Sequence, residues 1–314
     1  MIEMDENIQI IVTGANGYLG KRMTRSLENH FKVLKVDLEG ICTSRIDLLK
    51  EESWNKLEKH VNFPLVFLIN SAFIHSPNSK MEKENMILLE NLSRFMDKHS
   101  NIFLLYPSTA LVYGVKYREL ITEDFLPKPE SLYAKVKFNI ERRLLHQFSS
   151  RCTIFRMTNI YGNGTGGNTV IGKIFNQLKK NQRISLNDYN SVRDFIEIDN
   201  VIDAFIKMIL YIVRLDKLSN QKKQSAYNPH SVFNLSTGKG VKIYDLASKF
   251  AYHYKKAHLL PEKEKMINCG RNEYLIPSPE KLKQLFVQGE SLNLNEKPWQ
   301  PMSIEEGIKR MIEH

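Results

Sequence analysis

The chain contains no run of the about 18 apolar residues that a membrane-spanning helix needs. Its first residues, Met1-Ile2-Glu3-Met4-Asp5-Glu6, are acidic where a secretion signal would carry an apolar core. Cysteine is scarce. Cys42, Cys152 and Cys269 are odd in number, scattered and without metal-ligand spacing, which argues against a disulfide framework and against a bound metal. A reducing, cytoplasmic setting is the expectation. There are no internal repeats, and the one polar tract, Asp216 to Ser231, reads as a solvent-exposed insertion. A net charge of +10 invites a nucleic-acid reading, but the lysines are spread along the chain. Lys222-Lys223 is only a short cluster, and no basic stripe is interleaved with aromatics, so no nucleic-acid partner is expected. The basic balance instead suits an anionic small molecule.

What is present is an ordinary soluble composition, 42% hydrophobic and 25% charged, over 314 residues. That length can bury a sizeable core as one large domain or one and a half. Ile8 to Val12 is apolar but for Gln9, as expected of a strand buried on both faces of a parallel sheet. It runs into Thr13-Gly14-Ala15-Asn16-Gly17-Tyr18-Leu19-Gly20, a G-x-x-G-x-x-G turn opening a helix with Leu19, Met23 and Leu27 on one stripe. Glycine allows the tight turn and close approach of a pyrophosphate, and the helix directs its free amides and positive dipole end at that phosphate. Gly14, Asn16, Gly17, Tyr18 and Leu19 are therefore candidate cofactor residues. Lys32 to Asp37 reads as the next strand, ending on an acid placed to bond the adenosine ribose and to repel a 2′-phosphate. Asp37 thus favours NAD(H) over NADP(H). Asp47 and Leu48 are candidates for an adenine contact, and Ser71-Ala72, after the strand Leu65 to Ile69, form a small-residue turn along the cofactor's path.

The chemistry lies further on. Ile102 to Tyr106 reads as a strand that delivers Thr109 at its carboxyl end, where such sheets bind ligands. A helix from about Glu130 to His146 carries Tyr133 and Lys137. Exchanging an alcohol and a ketone with a nicotinamide moves one hydride and one proton. A phenol titrates near about 10, so it needs a cation beside it, and positions i and i+4 share a helix face. Lys137 can support Tyr133 and reach the nicotinamide ribose, while the Thr109 hydroxyl orients the substrate oxygen. Thr109, Tyr133 and Lys137 are the candidate catalytic residues.

Strands and helices alternate through the first half, the pattern of a Rossmann-type, doubly wound parallel α/β sheet. After Gly162 comes a glycine-rich loop, Gly162 to Asn168, and a helix from Val170 to Lys180. The C-terminal third reads as helical and irregular. The expected division is a dinucleotide-binding domain over 1–165, with 196–238 returning to it. A smaller, mainly helical substrate-binding domain would cover 166–195 and 239–314.

These residues resemble the extended short-chain dehydrogenase/reductase family, the NAD-dependent nucleotide-sugar epimerases and dehydratases, over nearly the whole chain. The turn from Thr13 to Gly20 is similar to the family's T-G-x-x-G-x-x-G, and Tyr133/Lys137 to its Y-x-x-x-K pair. Thr109 matches the catalytic Ser/Thr, four residues before the tyrosine of Val112-Tyr113-Gly114. Arg156 to Gly162 resembles the R-x-x-N-x-Y-G segment, which implies a sugar contact for Asn159. Arg193, in Arg193-Asp194-Phe195, and Arg271 resemble the family's diphosphate arginines, a role that suits the forked, permanently charged guanidinium. The resemblance implies a homodimer, paired through the helices near Met86–Met96 and Leu132–Leu145. It also implies a nucleotide-diphosphate sugar as substrate and a place in carbohydrate biosynthesis.

Departures narrow the reaction. The 4,6-dehydratases carry Asp-Glu after the catalytic Thr, where this chain has Ala110-Leu111, so elimination is not expected. Fucose-synthase-like 3,5-epimerase/reductases place a cysteine where Leu111 stands. The family's His-Leu-Ala-Ala turn is Ile69-Asn70-Ser71-Ala72, and its late aspartate is Ser278. Hydride transfer at the sugar C4 is what remains. Thr109, Tyr133 and Lys137 serve equally a 4-ketoreductase or 4-dehydrogenase and a 4-epimerase with tightly held NAD. The departures at Asn70-Ser71 and Ser278 favour net oxidoreduction. A binding protein without catalysis is disfavoured by the intact triad.

Overall fold

In the computed structural model the described residues are 7–40, 42–76, 79–219, 231–262, 272–290 and 298–313. Their elements run β1 (Ile8–Thr13), α1 (Tyr18–Leu27), β2 (Lys32–Asp37), β3 (Ser44–Arg45), α2 (Glu51–Trp54), β4 (Leu65–Asn70), α3 (Ser79–Lys98) and β5 (Ile102–Thr109). There follow α4 (Leu132–Phe148), β6 (Cys152–Met157), β7 (Asn159–Tyr161), α5 (Val170–Lys179), β8 (Val192–Glu197) and α6 (Ile198–Ser219). The chain ends with β9 (Val232–Leu235), β10 (Gly240–Lys242), α7 (Ile243–His253), β11 (Tyr274–Leu275), α8 (Glu280–Glu290) and α9 (Ile304–Glu313).

Seven strands form one parallel sheet in the order β3-β2-β1-β4-β5-β6-β9. β1, β4 and β6 are buried at every position, because helices cover both faces of the sheet. One face packs on α1, α6 and α8 through Met23, Leu27, Phe205, Met208 and Leu282. The other packs on α3 and α4 through Leu88, Leu92, Phe95, Val136, Ile140 and Leu144. Chain order reverses between β1 and β4, which opens a crevice beyond their carboxyl ends.

A smaller layer sits apart from this sheet. β8 pairs with β7, β10 and β11 in a short second sheet, and Ile174, Leu178, Leu246, Phe250 and Ile308 form a separate apolar cluster beside it. This part is mainly helical, as its sequence predicts, and its strands of two to six residues carry no alternation long enough to read. Among the described residues no helix is long and apolar enough to cross a membrane. The polar tract from Asp216 to Ser231 falls largely outside the described residues.

Candidate active site

The glycine turn is shaped by backbone contact. Gly14 adopts φ +66°, and a Cβ there would lie 2.7 Å from the Ala72 amide nitrogen, so the turns after β1 and β4 touch only because this residue has no side chain. A Cβ on Gly20 would lie 2.1 Å from the Gly14 carbonyl oxygen, which is how closely α1 docks on the turn. No side chain caps the start of α1 and no acid stands in its first turn, an arrangement that suits an anion. Ser71 ties the two turns together by donating its hydroxyl to the Thr13 carbonyl at 2.5 Å.

A cleft of about 450 Å³ runs from this turn. Gly14, Gly17 and Asp37 line one end, Asp47 and Leu48 a wall, and Ser71, Ala72 and Phe73 the other side. The Asp37 carboxylate accepts the backbone amides of Asn16 and Leu38, each at 2.8 Å. Asn16 also donates its side-chain amide to the Glu39 carbonyl, closing the turn over the acid. Asp47 accepts the Leu49 amide at 3.1 Å, and the Leu48 carbonyl takes donors from Trp54 and Asn91. Tyr18 and Leu19 do not line the cleft. The Tyr18 hydroxyl meets the Thr165 hydroxyl at 3.1 Å, linking the phosphate turn to the glycine-rich loop, and Leu19 packs into the core.

Thr109, Tyr133 and Lys137 come together beyond the end of β5. α4 begins at Leu132 rather than Glu130 because Ser131 caps it, its hydroxyl accepting the Ala134 amide at 3.2 Å. Burial pushes the Tyr133 phenol up to about 12. The Thr109 hydroxyl lies near enough to the phenol to draw its pKa down, and so opposes burial. Lys137 is 4% exposed and donates to the Pro107 carbonyl at 2.8 Å. Its ammonium lies over the rings of Phe73 and Tyr106 at 4.7 and 4.6 Å from their centroids. Burial drives Lys137 down to about 7, opposed by the Glu141 carboxylate. Desolvation therefore outweighs the mutual support expected from the i, i+4 spacing and moves both groups toward their neutral forms.

Asn159 and Arg193 stand on the paired strands β7 and β8. Asn159 is exposed and donates to the Asp194 carbonyl at 2.9 Å. Arg193 forms an ion pair with Glu273 and donates to its neighbour's carbonyl, so its guanidinium is turned to the protein. Arg271 lies outside the described residues. Among the described residues no group of His, Cys, Asp and Glu could hold a metal.

Three features escaped the sequence reading. Phe73 and His75 wall the site: His75 lies nearly parallel to Tyr133 with centroids 5.6 Å apart, and Phe73 meets Tyr133 edge-on at 5.1 Å. Burial, then Lys137, hold His75 below its usual range. Glu141 and Arg156 form a buried ion pair behind Thr109, with Nη2 to Oε2 at 2.7 Å. Glu141 falls at i+4 from Lys137, so the stripe of Tyr133 and Lys137 could have been extended to it. Asp194 is fully buried and accepts Thr158, Thr237 and Lys239, a hub that no local spacing announces.

The family profile described as the NAD dependent epimerase/dehydratase family matches residues 10–221, and the chain belongs to that family. It is 25% identical over 301 residues to a GDP-6-deoxy-D-talose 4-dehydrogenase of Aggregatibacter actinomycetemcomitans, covering 92% of this chain and all of that one. Among solved structures it resembles RMD from Pseudomonas aeruginosa complexed with NADPH, with TM-score 0.77, 20% identity and 97% of each chain covered. It also resembles the UDP-glucose 4-epimerase of Thermotoga maritima with UDP-glucose, with TM-score 0.75, 21% identity and 97% of each chain covered.

Proposed function

We propose that this member of the NAD-dependent epimerase/dehydratase family is an oxidoreductase acting on a nucleotide-diphosphate sugar, with hydride transfer at the sugar C4 and net redox change. The observation that carries the reading is the placing of Thr109 at the carboxyl end of β5 beside Tyr133 near the start of α4, with Lys137 one helical turn on. A bound nicotinamide supplies or accepts the hydride. Tyr133 gives or takes the proton at the C4 oxygen, and Thr109 orients that oxygen. Lys137 stabilises the phenolate when it forms and reaches the cofactor ribose.

The uncapped α1, Gly14 and Gly17 would hold the pyrophosphate, with the Asn16, Tyr18 and Leu19 amides beside it. Asp37 at the end of the cleft supports NAD(H) over NADP(H), because a 2′-phosphate there would face a carboxylate. Asp47, Leu48, Ser71 and Ala72 would flank the rest of the dinucleotide. Asn159, Arg193 and Arg271 are assigned to the substrate, and Arg193 must exchange Glu273 for the diphosphate. In this reading residues 1–165 and 196–238 hold cofactor, and 166–195 and 239–314 hold substrate.

The resemblance to a 4-dehydrogenase favours net oxidation over epimerisation. The test supplies GDP-6-deoxy-D-talose and NAD⁺ and follows nicotinamide absorbance against sugar consumed. One equivalent of NADH per sugar is expected. Formation of the C4 epimer over many turnovers without free cofactor would instead establish an epimerase.

A further inference from the structure

The helix α4 presents one continuous stripe, Tyr133, Lys137 and Glu141, to the carboxyl end of β5. Glu141 has no exposed surface at all. Its carboxylate accepts the Ser108 hydroxyl from β5. From β6 it accepts Arg156, with Nε at 3.1 Å and Nη2 at 2.7 Å. Ser108 and Arg156 are partners in the strand register, so the carboxylate bridges two strands as well as joining them to the helix. One turn earlier, Lys137 donates to the Pro107 carbonyl. The two residues immediately before Thr109 are thus each held by a side chain of the helix that bears Tyr133.

This arrangement is expensive for packing alone. Taking a carboxylate and a guanidinium out of water costs several kcal/mol per ion, and apolar side chains of similar volume usually do as well or better. The ions therefore ask for a role beyond filling space. We propose that Glu141 is a positioning residue, fixing Thr109 against Tyr133 through Ser108 and supplying the buried negative charge that faces Lys137. The inference rests on the reading of Thr109, Tyr133 and Lys137 given above.

Lys137 is faced by Tyr133 and Glu141 from its own helix, Tyr106 from β5 and His75 from the turn after β4. Glu141 is faced by Arg156 and Cys152 from β6, Tyr106 and Ser108 from β5, and Tyr113 from the turn beyond. Burial lowers the Lys137 ammonium, and Glu141 is the group that opposes it. Removing the charge of Glu141 therefore moves the loss of the Lys137 proton to lower pH.

The test measures NADH affinity from acid to alkaline pH, and turnover of GDP-6-deoxy-D-talose with NAD⁺, in the full-length protein. Glu141→Gln keeps size and the Ser108 bond but removes the charge. The alkaline fall in NADH affinity should move down by about one pH unit, the order of shift a near charge produces. Because Glu141→Gln strips a buried partner from Arg156, Glu141→Met combined with Arg156→Met is measured alongside, with the same shift expected. Ser108→Ala leaves the ion pair intact and should lower kcat with little change in KM and no movement of the pH profile. Superimposable pH profiles in the folded variants would overturn the charge role, and an unchanged kcat in Ser108→Ala would overturn the positioning role. If wild type turns over no nucleotide sugar, the proposed function fails while the NADH titration still decides the charge role of Glu141.

Discussion

The ring of Tyr133 lies nearly parallel to the imidazole of His75, 20° between planes and 5.6 Å between centroids, so the proposed proton donor is held on its open side by an exposed residue from the turn after β4. Phe73 closes the adjoining edge. The orientation of Tyr133 is therefore set by ring packing as well as by its hydroxyl. Tyr133→Phe should keep that packing and NADH affinity, while turnover falls by roughly 10²–10⁴, the contribution of a general acid-base group. Turnover near that of wild type would remove Tyr133 from the chemistry.

Lys137 makes a stability prediction separable from catalysis. Its pKa falls from the ordinary 10.5 to about 7 on folding. A lysine held below its unfolded value imposes no cost above 10.5; the cost grows as pH falls and is complete below about 7. Lys137→Met should therefore raise the melting temperature of the cofactor-free protein at pH 7, and the gap should close toward pH 10. A gap that is constant with pH would show that the lysine is not neutralised by folding.

The proposed preference for NAD(H) rests on Asp37. Calorimetric titration should show NADH binding well ahead of NADPH, and Asp37→Asn should narrow the difference, because the amide no longer repels a 2′-phosphate. Tighter NADPH binding by the wild-type protein would show that the carboxylate does not face the ribose.

Self-association is the fourth expectation. The apolar side chains of α3 and α4 face the sheet, and the groove of about 950 Å³ between the two helices is rimmed by Glu90, Arg94, Arg142 and Arg143. A homodimer joined here has a charged interface, so we expect a dimer at micromolar concentration that weakens with added salt. Light scattering that finds a monomer at low and high salt alike would count against it.

Much of this fold is written in local sequence. β1, β4 and β6 are buried on both faces, so each appears as a mainly apolar run, and the turn from Gly14 to Gly20 announces its own backbone. Tyr133 and Lys137 were legible because helical spacing is enough to make them neighbours. Phe73 and His75 reach Tyr133 across the crevice between β4 and α4, a contact that tertiary packing alone creates. β7, β10 and β11 are too short for alternation to show. Arg193 was legible as a cation, but its ion pair with Glu273 depends on a register between β8 and β11 that neither segment encodes by itself.

The parallel order of the large sheet also has a consequence for biosynthesis. β6 receives its outer neighbour, β9, only from residues 232–235, after the whole of β7, α5, β8 and α6 has been made. Until then a growing chain presents β6, buried at every position in the folded protein, as an unpaired edge. A chain truncated between Met157 and Val232 lacks that outer strand and should therefore aggregate more readily than the 314-residue chain.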